Sequence, residues 1–511
     1  MKSRRIRNFF MLLAALAVPV SLTGIVPAQA TGQSIPAPNK VIDEHSVGIQ
    51  MFMYSWDSIA SECTTYMGPA GIDWVQVSPP QEHITGAQWW IHYQPVSYKI
   101  ESSLGTRAQF ANMVQKCNAA GVAVIVDAVI NHMANGGGTG FAGSSYDKYD
   151  YPGIYSFTDF HAGLDPSNSH YCSDSISDYS DAWQVVNCEL GGLPDLATES
   201  TFVRTVVANY LNDLLSLGVA GFRVDAAKHF GSDNLEAVVG MLNPVNGHPP
   251  VIMSETIGNG IANADFVAWG SKAWAWGMPD VLSNNLGLGS LAFGKNLNWT
   301  SDFSGSANTI TMVGNHDTEH HGPTSIAYWR GNLYQLAHIY MLAIPFGIPE
   351  LYTGYSFSDE NDGPPTNAQG MVTKAVCPKV FTKPTSIVKD GVYTCVDRWS
   401  AIQGMIKWRD AAGNGGQIHS VYTKFTSART LSFNRGTNWI AMNPTMATTK
   451  AKYKTYLAKG TYCDVISGGR SALRSNKTCV GTSVVVDATG FATITVPAQS
   501  AIAIGAFAKA K

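Results

Sequence analysis

No apolar run in this 511-residue chain reaches the ~20 residues that a membrane-spanning helix needs. The longest candidate, Phe9 to Val20, follows Lys2, Arg4, Arg5 and Arg7 and precedes Ala28-Gln29-Ala30. A basic start, a short apolar core and a small-x-small site form a secretory signal peptide, to be cleaved after Ala30. The protein is therefore expected outside the cell, with no membrane as partner. Charge is also scarce: Asp, Glu, Lys and Arg make up 14% of the chain, and the signs nearly cancel at a net −3. With no basic cluster after the N-terminal region, nucleic acid and anionic lipid surfaces are excluded as partners. No CxxC pair occurs, which argues against a zinc site.

What is present suits an ordered enzyme with several cores. Hydrophobic residues reach 45%, far from the profile of a disordered chain. Eight cysteines (63, 117, 172, 188, 377, 395, 463, 479) in an exported chain predict disulfides, although their number alone leaves the pairing open.

The chain is organised around Gly218 to His229. Here a short apolar run, read as a buried parallel strand, ends in Arg223, Asp225, Lys228 and His229. Charges are rarely buried without partners, so this density at a strand end calls for a function. Three other apolar runs end alike: Val124 to His132, Val251 to Glu255 and Ile310 to Asp317. Strands that each deliver acids and histidines at their C-terminal ends fit a (β/α)8 TIM barrel with its active site on that face. Further strands are expected at 47–54, 74–80 and near 347–355, and a sixth within 260–308. Helices are expected at 110–117, where Phe110, Met113, Val114 and Cys117 share a face, and at 202–217. Residues 133–190 break the pattern, being rich in Gly, Ser, Asp and Tyr, and a long irregular insertion in a compact fold is usually functional. Beyond about 415, short alternating runs at 430–433, 439–442, 483–486 and 492–496 predict an antiparallel β-sandwich domain.

The motifs DAVINH (127–132), GFRVDAAKH (221–229), SET (254–256) and GNHD (314–317), in that order, resemble those of the retaining α-glucan hydrolases, glycoside hydrolase family 13. The resemblance is to the secreted α-amylases of the animal and actinobacterial group. It implies a signal peptide at 1–30, a catalytic barrel from 31–132 and 196–415, an inserted domain B at 133–195 and a domain C at 416–511. It also implies disulfides Cys63–Cys117, Cys172–Cys188, Cys377–Cys395 and Cys463–Cys479. The activity implied is hydrolysis of internal α-1,4 bonds in starch, glycogen and maltooligosaccharides, by a chain acting as a monomer.

By the same resemblance Asp225 is the nucleophile, Glu255 the acid and base, and Asp317 the residue that binds ring hydroxyls and stabilises the transition state. Arg223, two residues before Asp225 on one strand face, can hold that carboxylate ionised, whereas Glu255 needs a raised pKa. Trp89, Trp90, Tyr93 and Gln94 resemble the family's sugar platform, for which the alternative is a hydrophobic plug over the barrel. His132 and His316 would donate to sugar hydroxyls, and Lys228 and His229 would line the leaving-group side. A structural calcium would take oxygens from the side chains of Asn131 and Asp195, a donor type this ion prefers. Resemblance adds the backbone carbonyls of Val186 and His229. Chloride is not expected: Glu350 occupies a position where animal-type enzymes carry an arginine, and a carboxylate would repel the anion. A transglycosylating or maltooligosaccharide-forming relative would share the three acids, while a non-catalytic glucan-binding barrel would typically have lost some of them.

Overall fold

Eight short strands, nearly every residue of them buried, close on themselves into a parallel barrel in the computed structural model, which describes residues 36–162, 172, 175–257, 263–291, 305–322, 326–377, 390–413, 418–424 and 429–511. The signal-peptide segment lies outside the described residues. The strands are β1 (Gly48–Met51), β2 (Trp74–Val77), β3 (Ala123–Ala128), β4 (Gly221–Val224), β5 (Val251–Ser254), β6 (Lys272–Trp274), β7 (Thr309–Met312) and β8 (Ile348–Thr353). They follow one another around the barrel in chain order, and β8 pairs with β1 through Gly48↔Glu350 and Met51↔Thr353 to complete it. Apolar, β-branched strands such as Ala-Val-Ile-Val at 123–126 can only be satisfied where both faces are covered, as they are in a barrel wrapped by helices.

The expected strands thus exist, including the sixth, only three residues long. The expected helices are α1 (Arg107–Ala119), which extends past the apolar period at both ends, and, later in the chain, Thr201–Ser216, shifted by one residue from the expected bounds. Helix α1 begins at Thr106 in a reciprocal capping box with Gln109, which satisfies donors that a helix start otherwise leaves open. In the inserted segment a short helix, α2 (Ala182–Asn187), is the principal regular element among the described residues, and Thr201–Ser216 (α3) follows it. The two ends of the insertion are hydrogen-bonded to each other: Met133 N–H donates to the Pro194 carbonyl at 3.1 Å and Leu196 N–H to the Asn131 carbonyl at 3.0 Å. An excursion from the barrel can remain long and irregular because its stem is fixed in this way.

After the barrel come β9 (Ile418–Lys424), β10 (Thr430–Arg435), β11 (Asn438–Asn443), β12 (Thr449–Lys454), β13 (Gly460–Cys463), β14 (Ser483–Val486), β15 (Phe491–Val496) and β16 (Ser500–Gly505). They form an antiparallel sheet in the order β9-β10-β11-β16, with β12 paired to β15 and β13 to β14. The four disulfides are Cys63–Cys117, Cys172–Cys188, Cys377–Cys395 and Cys463–Cys479. Among the described residues no helix is long and apolar enough to cross a membrane.

Candidate active site

The site is built on strand ends. Arg223 and Asp225 lie two residues apart and so on one face of the chain leaving β4. The ladder continues past the strands: Asp225 N–H donates to the Ala128 carbonyl at 3.0 Å and Glu255 N–H to the Val224 carbonyl at 3.1 Å. The carboxyls leaving β3, β4 and β5 therefore meet side by side. Arg223 Nη1 donates to Asp127 Oδ1 at 2.6 Å and to Asp225 Oδ1 at 2.7 Å, while Nη2 forms an ion pair with Glu255. Asp317 is close enough to act electrostatically on Glu255 and on Arg223. Two of the three acids singled out in the sequence, Asp225 and Glu255, thus share one guanidinium with Asp127, and Asp317 lies within electrostatic reach of it. Asp225 and Glu255 are almost fully buried, whereas the Asp317 side chain is 28% exposed.

Burial sets the protonation of these groups. It pushes Glu255 well above the usual carboxyl range, against the attraction of Arg223, with the nearby Asp225 and Asp317 adding to the rise. Asp317 and Asp127 are also raised, chiefly by burial and again against Arg223. Glu255 Oε2 accepts from the Ala226 N–H at 2.9 Å. Ala226 has φ +48° and ψ +34°, a left-handed conformation that a residue with a Cβ adopts only at a cost. The short helix α4 (Ala227–Phe230) starts there and carries Lys228 and His229.

Asp317 is placed by α5 (His316–His320). Asn315 caps this helix by accepting from the Thr318 N–H at 3.0 Å, and Asp317 falls in its first turn. His316 lies between two aromatic rings, Phe52 at 4.7 Å and Tyr93 at 5.2 Å between centroids. Gln50 Nε2 donates to its Nδ1 at 3.0 Å, leaving the Nε2 proton facing Asp317 Oδ2 at 3.4 Å. Tyr93 in turn donates to Asp127 Oδ2 at 2.8 Å.

The aromatic platform divides. Trp89 is only 4% exposed, with His316, His320 and Tyr93 against its ring and its Nε1 donating to the Glu360 carbonyl at 2.9 Å. It is the plug. Trp90 is partly open, with Nε1 donating to Asn361 Oδ1 at 3.2 Å, and Tyr93 and Gln94 are also partly open. Gln94 Oε1 accepts from the Asn135 N–H at 3.2 Å, which fixes the amide. His132 differs from expectation. Its Nε2 donates to the Tyr93 carbonyl at 3.0 Å, and burial lowers its pKa, so the ring is neutral and its unpartnered Nδ1 can accept a hydrogen bond but not donate one. Lys228 Nζ donates to the Ile257 carbonyl, and His229 Nδ1 donates to the Val185 carbonyl at 2.9 Å. Beside them stands Tyr179, 45% exposed, with Lys228 Nζ 5.5 Å from its ring centroid. Sequence reasoning missed Tyr179, which lies in the irregular insertion, and gave no role to Asp127, although it opens a recognised motif.

Below the insertion's stem, Asn131 Nδ2 donates to Asp195 Oδ1 at 3.1 Å, leaving the buried Asn131 Oδ1 without a hydrogen-bond partner. His161 donates to the other Asp195 oxygen at 2.6 Å and to Glu199 at 2.9 Å. Burial alone would pull His161 down, but these bonds hold it up at about 9; burial raises Asp195 to about 7. The bond from His229 to Val185 ties α4 to α2, so the segments bearing the other two candidate carbonyls adjoin. Among the described residues no group of three or more His, Cys, Asp or Glu could hold a metal. An orphaned amide oxygen beside a buried carboxylate nevertheless fits a hard cation that takes oxygen ligands. Glu350 is buried across the barrel from this stem, its Oε2 accepting from Trp274 Nε1 at 2.6 Å.

Comparison with known proteins agrees with this geometry. The alpha amylase catalytic-domain model matches residues 65–243, and the alpha amylase C-terminal all-beta domain model matches 424–506. An alpha-amylase of Streptomyces violaceus is 37% identical over 96% of this chain and 78% of its own length. One from Hypothenemus hampei is 33% identical over 91% and 95%, respectively. Among solved structures, a mutant of alpha-amylase I from Eisenia fetida, in complex with maltohexaose, is 30% identical. It superposes with a TM-score of 0.82, covering 92% of this chain and 99% of its own. The chain belongs to the alpha-amylase family, glycoside hydrolase family 13, and is a glycoside hydrolase with alpha-amylase activity.

Proposed function

We propose that Asp225, Glu255 and Asp317 carry out retaining hydrolysis of internal α-1,4 bonds in starch-type glucans; the single observation supporting this is that Asp225 and Glu255 share Arg223, with Asp317 in electrostatic contact with Glu255. Glycosidic cleavage passes through an oxocarbenium-like transition state, which needs a carboxylate on one side of the ring and an acid beside the leaving oxygen. Arg223 pairs with the Asp225 carboxylate and aims it, so Asp225 attacks the anomeric carbon. Glu255, kept protonated by burial, gives its proton to the departing oxygen. It then takes a proton from the water that releases the covalent glycosyl-enzyme. Asp317, the most exposed of the three, binds ring hydroxyls, with His316 Nε2–H beside it. Trp90 and Tyr93 offer ring faces to the sugars, Gln94 offers its amide, and His132 accepts from a hydroxyl. Lys228, His229 and Tyr179 border the leaving-group side.

The calcium reading rests on the orphaned Asn131 oxygen. Asn131, Asp195 and the carbonyls of Val186 and His229 would hold the ion, which would supply structural charge at the stem of the insertion. We further take 1–30 as a signal peptide, 133–195 as domain B and 416–511 as domain C of an exported monomer. The test is reducing-sugar release from soluble starch at equal enzyme. Glu255→Gln is expected to lower kcat by about 10²–10⁴-fold, and Asp225→Asn by at least as much, with starch binding retained. Unchanged rates in either variant would remove that residue from the chemistry.

A further inference from the structure

Glu350 is a buried carboxyl that the mechanism above does not use. It projects from β8, is 3% exposed, and accepts from Trp274 of β6. Those two strands are not neighbours, since β7 lies between them, so the bond crosses the barrel interior. The other oxygen, Oε1, is buried with no hydrogen-bond partner among the described residues. The charged groups that act on Glu350 are Arg223 on β4, which attracts it, and Asp127 on β3, which repels it. Arg223 already has its Nη atoms on Asp127, Asp225 and Glu255. One positive charge cannot serve four ionised carboxylates in a buried space, and an ionised carboxylate with an unsatisfied oxygen is costly there.

We propose that Glu350 is a positioning residue, a neutral acid whose proton keeps Arg223 committed to Asp225 and Glu255, so that hydrolysis needs a second held proton besides the one on Glu255. Its single acceptor bond suits the neutral form, because an unpartnered carboxyl oxygen costs less to bury when the group carries no charge. When Glu350 ionises, its charge pulls the guanidinium across the barrel and loosens both catalytic carboxyls. Burial raises its pKa to about 8, which places this loss on the alkaline side of the activity profile. The inference rests on Glu255 being the acid.

The amide of Glu350→Gln imitates the neutral acid and can still accept from Trp274. kcat/KM on a soluble maltooligosaccharide, followed from pH 5 to 10, is expected to agree with wild type within about twofold at pH 6. Above about pH 8 the wild type should fall with two protons, about 100-fold per unit, and the variant with one, about tenfold per unit. Thermal stability gives an independent readout. A folded pKa raised from about 4.3 to about 8 means the folded state holds the extra proton, so this stability is complete below pH 4.3 and is lost as pH rises towards 8. The Tm of Glu350→Gln should therefore gain on wild type across that window. Superimposable alkaline limbs, or a loss equal at every pH, would overturn the proposal. Glu350→Met, neutral but unable to bond Trp274, carries the same limb test if the glutamine variant folds poorly. If Glu255→Gln is inactive while the limbs coincide, only this inference fails; if Glu255→Gln stays active, the acid assignment itself fails.

Discussion

One guanidinium with three carboxyls around it is the feature from which the rest of the residue-scale chemistry follows. The spacing of Arg223 and Asp225 is legible in sequence because alternate residues of a strand share a face. The contacts of Arg223 with Asp127 and Glu255 are not, since they join different strands, and neither is the fact that His132 spends its ring N–H on the Tyr93 carbonyl. Ala226 is a second residue whose role only the tertiary structure reveals. Its left-handed backbone is held where its N–H reaches Glu255, and its Cβ carries a penalty of about 1–2 kcal/mol. Ala226→Gly should keep both fold and activity, with stability within about 1 kcal/mol, because relief of strain offsets the freer unfolded chain. Ala226→Val should cost about 2 kcal/mol or more and lower kcat. Equal Tm and kcat for the two variants would show that the conformation does not matter.

At the scale of elements, the segments that could be read were those whose burial is complete or periodic. The barrel strands and α1 are of this kind. Strand β12, Thr449–Lys454, carries lysines at alternate positions and resembles a solvated loop in sequence; it forms by pairing with β15, where Lys452 and Lys454 lie over the ring of Phe491. Cysteine count foretold disulfides but not their partners. Cys172–Cys188 closes a span of 16 residues and ends beside α2, the helix that His229 grips at Val185. Replacing both cysteines by serine should cost about 3 kcal/mol through the unfolded chain. Because α2 also bears the Val186 carbonyl, a higher calcium concentration should be needed to reach full Tm. A calcium titration followed by thermal melting tests this, and an unchanged requirement would detach the disulfide from the ion site.

For the whole molecule, the stem of the insertion is where stability and catalysis meet. Asn131 and Asp195 are next to the residues that lead from β3 into the insertion and back, and His229 lies four residues beyond Asp225. Chelation of calcium should therefore lower Tm and activity together, and re-addition at about 100 times the dissociation constant should restore roughly 2.7 kcal/mol. A melting curve indifferent to chelator would remove the ion from the account.

The sequence alone determined the class of fold, the order of its parts and the acids available. Strand periodicity, glycine turns and charged strand ends are local facts, and a closed barrel is the arrangement that covers such strands on both faces while gathering their ends. The tertiary structure alone decided which charges share Arg223, which tryptophan is buried and which is partly open, and that Glu350 bonds Trp274 past an intervening strand. Those outcomes depend on distances between residues far apart in the chain and on how completely water is excluded between them, quantities that no local pattern carries.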